Sequence, residues 1–566
     1  MTQTRSFLLI AWLVVAFFLW DAWQKDYVVA PATPASILTP FDPSAVPGLD
    51  GSIPDAAVPD AGSVPSTAVP SVSAAPDAPT ASAGAPATAT LSLANDVLRI
   101  SLDARGGSLL AAELLAYAES TKDNSAPVQL LSQDPAHHFV AQTGWISSVS
   151  GAPNHDAAFR AEAGSQVLAE GGDAVELPFV WSGGDGLTIR RTYRLERGSY
   201  VLQVRDDIVN GGASAWRGNV YRQLLRVPPP SKGGGMTNPE AYSFVGAAWY
   251  SPQDKFEKLT FDDFEPDAPL AKDVSGGWIA MLQHYFVAAW IPDGKETSRY
   301  ATAQMPGRYL IRSLGPTLEV APGAQASTEA QLYIGPKLQD RLDAVAPGLG
   351  LTLDYGIFTI IAQPLHWLLA KLHTLTGNWG WAIVLLVVLI KLALFKLSEA
   401  QYKSFAKMRR VQPRIEALKE RYGEDKQKFQ QAMMELYKKE KINPMGGCLP
   451  VLVQIPIFIS LYWVLLESVE LRQAPWVGWI QNLTAPDPYF VLPALNLLTM
   501  WLTQKLSPTP GMDPLQKKMM QIMPLVFGVM FAFFPAGLVL YWATNGGLGL
   551  AQQWIITKRH GEPVKV

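Results

Sequence analysis

The sequence has little cysteine, little net charge and no familiar catalytic motif. Only one of its 566 residues is a cysteine, Cys448, which excludes an intramolecular disulfide framework and a zinc site built on cysteines. The formal net charge is −3, so no overall basic field points to a nucleic-acid sequence as partner. The patterns GxxxxGK[ST], HExxH, GxSxG and a helix-opening GxGxxG are absent. We therefore predict no enzyme activity, no catalytic residue, no cofactor and no metal.

Apolar residues make up 48% of the chain and are concentrated in separate runs. The first run, Phe7–Trp20, follows Arg5 and predicts an uncleaved signal anchor over residues 1–24. Residues 25–90 are dominated by Pro, Ala, Ser, Thr, Asp and Gly. This composition cannot bury enough apolar surface to fold, so it predicts a flexible linker.

Residues 91–350 have a hydrophobic period of two. Segments such as LTIRRTYRLE and SYVLQVRDDIVN alternate or are rich in β-branched and aromatic residues, and clusters of Gly, Pro, Asn and Asp separate them. Many strands without intervening amphipathic helices predict an all-β sandwich or barrel. The histidines of this region lack metal-ligand spacing, so we expect structural roles for His137, His138, His155 and His284.

Beyond residue 350 the pattern predicts membrane-associated helices. Residues 351–377 predict an interfacial amphipathic helix, because apolar residues cover most faces around Pro364. The segment from Lys396 to Lys441 holds 13 Lys/Arg and 7 Asp/Glu, and its apolar residues recur at helical spacing. The predicted elements are a second span over 378–397, a cytoplasmic helical hairpin over 398–446, four further spans over 447–557 and a tail over 558–566.

Loop charges predict the orientation of the six spans, five of which form a core. The loops on one side carry Arg5, the basic hairpin, Lys505 and the basic tail. The short loop on the other side, Glu467–Pro488, has one Arg and three acids. By the positive-inside rule, both termini are cytoplasmic and the β-domain faces an envelope compartment.

Lys391 is the only ionisable residue in the middle of an apolar stretch, Trp379–Leu397. A charge within a spanning helix is costly, so it is a functional-site hypothesis by default. The alternative is that its long stem carries the ammonium to the headgroups. Further polar residues at membrane depth, such as Gln454, Tyr541 and Asn545, favour a wet groove inside the bundle.

Three classes of function fit these features to different degrees. An ion carrier usually pairs charges inside the membrane, and the core spans contain no acidic partner for Lys391. Inverted repeats are not evident either, so a solute or ion transporter or channel is the alternative and not the first choice. A membrane-anchored glycan-binding protein would leave the core spans and the hairpin without a role. An unpaired cation in a groove suits transient attraction of an anionic segment.

Eight stretches carry a resemblance to a known family. They are WIAMLQHYFVAAWIP, LYIGPK, LDYGIF, AQYKSFAKM, NPMGGCLPVLVQIPIFISLYWVL, ELRQAPWVGWI, DPYFVLP and FPAGLVLYWATN. In these stretches the chain resembles the YidC/Oxa/Albino family of membrane protein insertases in its Gram-negative form. The resemblance covers most of the chain from about residue 90 onward.

The resemblance implies a periplasmic β-supersandwich domain and a five-helix core with a hydrophilic groove, in the bacterial inner membrane. The implied function is that of an insertase and chaperone. Such a protein moves hydrophobic segments of nascent proteins from the cytosol into the membrane, alone or with the Sec translocon. The implied partners are nascent membrane proteins, the Sec translocon and its accessory subunits, anionic phospholipids, and the ribosome through the basic hairpin.

The resemblance also implies the groove residues. The family usually has an arginine where this chain has Lys391, which keeps the charge but not the planar guanidinium. Substrate contacts of the family's third and fifth spans map onto this chain, and we add two residues of the last span. The predicted groove residues are Lys391, Gln454, Ile455, Pro456, Phe458, Phe527, Phe531, Tyr541 and Trp542.

Overall fold

The computed structural model describes residues 90–103, 107–122, 124–148, 151–230, 243–264, 269–422, 425–440, 449–506 and 514–560. The predicted signal anchor (1–24) and, apart from Thr90, the predicted linker (25–90) lie outside the described residues. Within these ranges a β-domain precedes a helical region.

The strands of the β-domain are numbered in chain order. They are β1 Thr90–Ala94, β2 Leu98–Asp103, β3 Leu109–Ala118, β4 Pro127–Leu131, β5 Phe139–Ile146, β6 Arg160–Ala161, β7 Gln166–Val167, β8 Ala174–Ser182, β9 Leu187–Glu196, β10 Val201–Asn210, β11 Trp216–Arg226, β12 Gly246–Ser251, β13 Lys255–Leu259, β14 Ala271–Ser275, β15 Trp278–Leu282, β16 Phe286–Pro292, β17 Thr297–Met305, β18 Arg308–Val320 and β19 Gln325–Pro336.

These strands form two large sheets. In the described part of the chain, one sheet has the order β14-β17-β18-β11-β5-β3-β2-β1-β7, with β4 beside β3. The other has the order β13-β12-β15-β16-β19-β10-β9-β8-β6. Pairing is antiparallel except between β1 and β7. Residues of both sheets belong to one hydrophobic core, so the predicted β-sandwich is confirmed.

Burial along the strands explains both the regular and the irregular sequence patterns. In β9 and β10 buried residues alternate with more exposed ones, as the period of two predicts. In β15 all five residues are buried, because the chain after β19 also covers this strand. Trp278 of β15 illustrates this, since its indole nitrogen donates to the carbonyl of Pro347 at 3.1 Å.

A buried ion pair connects the two sheets. Arg191 of β9 is 0% exposed and Asp206 of β10 is 3% exposed. The Arg191 Nε and Nη2 atoms donate to the two carboxylate oxygens of Asp206 at 2.7 and 2.8 Å. From β5 in the other sheet, Trp145 Nε1 donates to Asp206 at 2.7 Å, and the Thr143 carbonyl accepts from Arg191 at 3.1 Å. Each nitrogen of the guanidinium and each oxygen of the carboxylate therefore has a hydrogen-bond partner, as is typical of buried charged groups.

The helices that follow are numbered α1 to α9. They are α1 Gln339–Val345, α2 Thr359–Thr376, α3 Trp379–Ala393, α4 Phe395–Tyr422, α5 Lys426–Lys439, α6 Leu449–Glu467, α7 Val491–Leu506, α8 Pro514–Phe531 and α9 Ala536–His560.

The helix bounds differ from the predicted spans mainly just after Lys391, at the end of the second span. The helix α3 ends at Ala393, four residues before the predicted end of the second span, and α4 continues at an angle of 66°. Among the described helices none combines by itself the length and apolarity of a full span, whereas α3 and α4 do so as a pair. The predicted break in the last hydrophobic region lies between α8 and α9.

The basic hairpin has its own small core. The helices α4 and α5 pack through buried Met408, Val411, Ile415 and Tyr437. The first turns of α4 also contact α9, so the hairpin is attached to the bundle at its base. The turn at Gly423 lies outside the described residues.

A buried polar junction attaches the β-domain to the end of α6. Glu467 is 2% exposed and accepts a hydrogen bond from Ser243 at 3.2 Å. The His284 imidazole contacts the Leu466 carbonyl at 2.9 Å, which gives this histidine the structural role that we predicted. Burial lowers the pKa of the Lys337 ammonium, and the negative charge of Glu467 opposes that shift. The contacts of Ser243 and His284 therefore hold the β-domain against the end of α6.

Candidate functional site

Lys391 lies in the last turn of α3 and faces α4 and α9. A Cβ atom placed on Gly549 of α9 would lie 3.7 Å from the Lys391 Nζ and 3.7 Å from the Tyr402 hydroxyl. The Tyr402 hydroxyl donates to the Gly549 carbonyl at 3.1 Å, and the Gln552 amide donates to the Lys391 carbonyl at 3.4 Å. Because Gly549 has no side chain, the space beside the ammonium stays open.

The second polar contact joins α6 to α9. The Gln454 amide donates to the Asn545 side-chain oxygen at 2.9 Å. In a membrane such a bond is favoured because the alternative for each amide is an unsatisfied polar group. Pro456 follows on the same helix, and the Ser460 hydroxyl donates to its carbonyl at 2.7 Å. Gln454 is thus oriented toward α9.

An aromatic cluster connects α6, α8 and α9. The ring centroids of Phe458 and Trp542 are 4.4 Å apart, and those of Phe458 and Tyr541 are 5.8 Å apart. Phe531 lies 5.4 Å from Trp542 and 6.4 Å from Phe527, again between ring centroids. These distances fall in the range of favourable aromatic contacts.

One face of α9 connects the three groups of residues. Trp542, Asn545, Gly546 and Gly549 recur at helical spacing, so they form a stripe about two turns long. The stripe begins at the aromatic cluster, passes the Gln454 contact and ends beside the Lys391 ammonium.

A cleft of about 410 Å³ opens beside this stripe, between α7, α8 and α9. Its lining combines methionines and aromatic rings with uncharged polar groups. The lining residues are Asn496, Met500, Thr503, Gln504, Met520, Met523, Pro524, Phe527, Trp542, Asn545 and Gly546.

Comparison with known proteins identifies the family. The model of the "YidC periplasmic domain" family matches residues 90–368, and that of the "60Kd inner membrane protein" family matches residues 371–562. A membrane protein insertase YidC of Stenotrophomonas maltophilia is 51% identical over 573 residues, with 100% of this chain and 98% of that protein covered. An insertase YidC of Xanthomonas campestris pv. campestris is 53% identical over 577 residues, with 100% of this chain and 99% of that protein covered.

The chain belongs to the YidC family of membrane protein insertases. The resemblance drawn from the eight stretches is confirmed. YidC relatives are named as insertases and their family as an inner membrane protein, so the prediction of a non-enzymatic insertase is also confirmed. A solved structure of an active YidC insertase aligns with 81% of this chain and 90% of its own, at 20% identity and a TM-score of 0.36.

The structure brings most of the predicted YidC groove residues into two neighbouring groups. Phe458, Phe527, Phe531, Tyr541 and Trp542 form the aromatic cluster. Gln454 contacts Asn545 on the same stripe as Trp542, and Lys391 lies at the other end of that stripe.

Ile455 has a different position from the others. It is 44% exposed, although its neighbour Gln454 points into the bundle. Adjacent residues of a helix lie about 100° apart, so one of the pair faces outward. Pro456 is half-buried.

Sequence reasoning missed two residues of this region, Tyr402 and Asn496, and the contact of a third, Asn545. Asn545 appeared only as a polar residue at membrane depth, although it is the partner of Gln454. Tyr402 was assigned to the hairpin, whereas its hydroxyl lies beside Lys391. Asn496 carries the same kind of signal as Gln454, because it is an amide inside an apolar run.

Proposed function

We propose that this insertase is a multi-pass inner-membrane protein that moves hydrophobic segments of nascent proteins from the cytosol into the membrane. In this proposal its termini are cytoplasmic, its β-domain is periplasmic and the face of α9 from Trp542 to Gly549 lines a hydrated groove. The single observation that carries the groove is that one helix face joins Lys391, the Gln454–Asn545 contact and the aromatic cluster.

In this proposal Lys391 acts on the N-terminal tail of the client, which is the nascent protein that is being inserted. Within the described residues no carboxylate forms an ion pair with its ammonium, so the charge is available to a guest. At an effective dielectric constant of about 20, an acidic group 8 Å away is attracted by roughly 2 kcal/mol. That is enough to hold a tail transiently, and weak enough to release it.

The client's own apolar surface supplies the driving force. A spanning segment has ~20 apolar residues. Each buried apolar side chain contributes about 1.5–3 kcal/mol relative to water. The total exceeds the attraction at Lys391 by an order of magnitude, so the insertase needs no nucleotide. It only has to lower the free-energy cost of moving the polar tail into the membrane.

The hairpin and its partners extend the proposal. The net charge of about +6 between Lys396 and Lys441 suits contact with anionic phospholipids and with a ribosome that carries the nascent chain. We also propose that the protein acts as a chaperone and works alone or with the Sec translocon and its accessory subunits, as its family membership suggests.

Gly549 provides a test of the groove that leaves the charge of Lys391 unchanged. Gly549→Leu would fill the space between the Lys391 ammonium and the Tyr402 hydroxyl, where a Cβ alone already comes to 3.7 Å of both. In proteoliposomes we expect insertion of a single-span client with an acidic tail to fall several-fold.

The matched control is Gly547→Leu on the same helix, where a Cβ would meet no atom within 4 Å. We expect this variant to insert the client at the parental rate. Equal rates for the parental protein and Gly549→Leu would contradict the groove on this face of α9, provided that the variant is folded by limited proteolysis.

A further inference from the structure

Asn496 is a buried amide whose side chain has no hydrogen-bond partner among the described residues. It lies in the second turn of α7 and is 1% exposed. Neither its side-chain nitrogen nor its side-chain oxygen has a partner in the part of the chain that the structure describes. A buried polar group without a partner is costly, and more so in a membrane. Something other than these residues must satisfy it.

A second unsatisfied group lines the same cleft. The indole nitrogen of Trp542 is buried and has no acceptor among the described residues. Asn496 and Trp542 both line the cleft of about 410 Å³. Together they offer three N–H groups, on two nitrogen atoms, and one oxygen acceptor to a guest.

The lining of the cleft indicates the class of guest. Among the residues that the structure describes, the lining contains no Asp, Glu, Lys, Arg or His, so an ionised group would be desolvated there without a counter-charge. An uncharged amide or hydroxyl can both donate to and accept from Asn496. The surrounding Met500, Met520 and Met523 are flexible side chains that adapt to apolar neighbours of varied shape.

The position of the cleft favours side chains of a client helix. Its walls are side chains of three helices of the bundle, α7, α8 and α9, so we expect client side chains to enter it while the client backbone stays outside. The cleft is continuous with the proposed groove, because Asn545 lines it and also bonds Gln454, and Trp542 lines it and also contacts Phe458.

We propose that Asn496 and Trp542 form a subsite that binds an uncharged polar side chain (Gln, Asn, Ser or Thr) within a client's hydrophobic segment. The inference rests on the proposed insertase groove and adds a second, separate selectivity to it. Lys391 acts on charged tails, whereas the subsite acts on neutral polar residues that are costly in lipid.

The test compares two single-span clients that differ at one central residue of the apolar segment, Gln or Leu. A photoreactive leucine analogue next to that residue reports contact with the full-length insertase in membrane vesicles during insertion. One hydrogen bond corresponds to about a two- to tenfold preference, so we expect the Gln client to cross-link by that factor more than the Leu client. In Asn496→Leu the ratio should fall to about one, with the yield of the Leu client unchanged.

Thr499→Val is the matched control on the same helix. The Thr499 hydroxyl already donates to the Asn496 carbonyl at 2.8 Å and is not part of the lining, so the ratio should persist. Trp542→Phe, which removes the indole N–H group but keeps an aromatic ring, should lower the ratio and covers the case in which Asn496→Leu misfolds. A ratio that stays at the parental value in both variants, or equals one in the parental protein, would show that water or lipid satisfies these groups and would overturn the subsite. Loss of all cross-links with both clients would instead contradict the insertase groove.

Discussion

Removing the carboxylate of Asp206 is expected to destabilise the β-domain severely. Asp206→Ala deletes the acceptor of three hydrogen bonds, two from Arg191 and one from Trp145, at 2.7 to 2.8 Å. The Arg191 guanidinium, which is 0% exposed, would remain buried without its counter-charge. Breaking a buried pair from one side costs about 3–5 kcal/mol, so we expect the free energy of unfolding to fall by that amount.

The neighbouring residue provides the control. Asp207 forms an ion pair with Arg205 at 2.8 Å, but on the surface, with side-chain exposures of 35% and 52%. Such pairs contribute about 0–1 kcal/mol, so Asp207→Ala should be nearly neutral. Urea unfolding of residues 90–353, followed by tryptophan fluorescence, measures both variants. Equal unfolding midpoints for Asp206→Ala and Asp207→Ala would refute the assignment of this pair as a buried connection between the sheets.

Three further outcomes are expected. Residues 90–353 expressed alone should be soluble and give a circular dichroism spectrum dominated by β-structure, and a helical spectrum would count against the two-sheet domain. Deleting residues 409–440 keeps Tyr402 and should impair insertion while the core stays folded; normal insertion would argue against a docking role for the hairpin. Gly546→Val should lower the melting temperature of the helical region, because even a Cβ at Gly546 would come within 2.5 Å of the Thr499 hydroxyl. An unchanged melting temperature would contradict that close approach of α7 and α9.

The hydrophobic period was sufficient to predict which regions form strands and which form helices. It did not predict the residues that depart from the pattern. The alternation in β9 predicted which residues are buried, and the structure agrees. It could not predict the partners of Arg191 at its inward position, because Asp206 and the donor Trp145 come from other strands. A charged residue at an inward position was the available signal.

The bounds of the helices show a similar limit. The end of the apolar stretch at Leu397 predicted the end of the second span, but α3 ends at Ala393 and a bend follows. Hydropathy does not change at Ala393, so composition alone could not place the bend. Its position matters, since it puts Lys391 in the last turn of α3, near the base of the hairpin.

The candidate site was predictable only as a set of residues. The apolar pattern supplied Lys391 and Gln454, and the resemblance to the family supplied Phe458 and the positions on α8. Neither supplied the stripe on α9 that connects them. Gly549 has no side chain that sequence patterns could indicate as functional. Its contribution to the site is the space that it leaves beside the Lys391 ammonium. The importance of Asn496 could not be predicted, because it depends on its side-chain amide having no hydrogen-bond partner among the described residues of the folded chain.

The most direct measurement of the central claim is the insertion rate of Lys391 variants with clients that differ only in tail charge. From an attraction of roughly 2 kcal/mol, we expect Lys391→Ala to slow acidic-tailed clients by up to about 30-fold. Lys391→Glu should nearly abolish their insertion, whereas Lys391→Arg and the exposed control Lys396→Glu should retain it. Neutral-tailed clients should be affected little. Insertion of acidic-tailed clients by Lys391→Glu at the parental rate would contradict a role for the charge and leave Lys391 as a residue that reaches the headgroups.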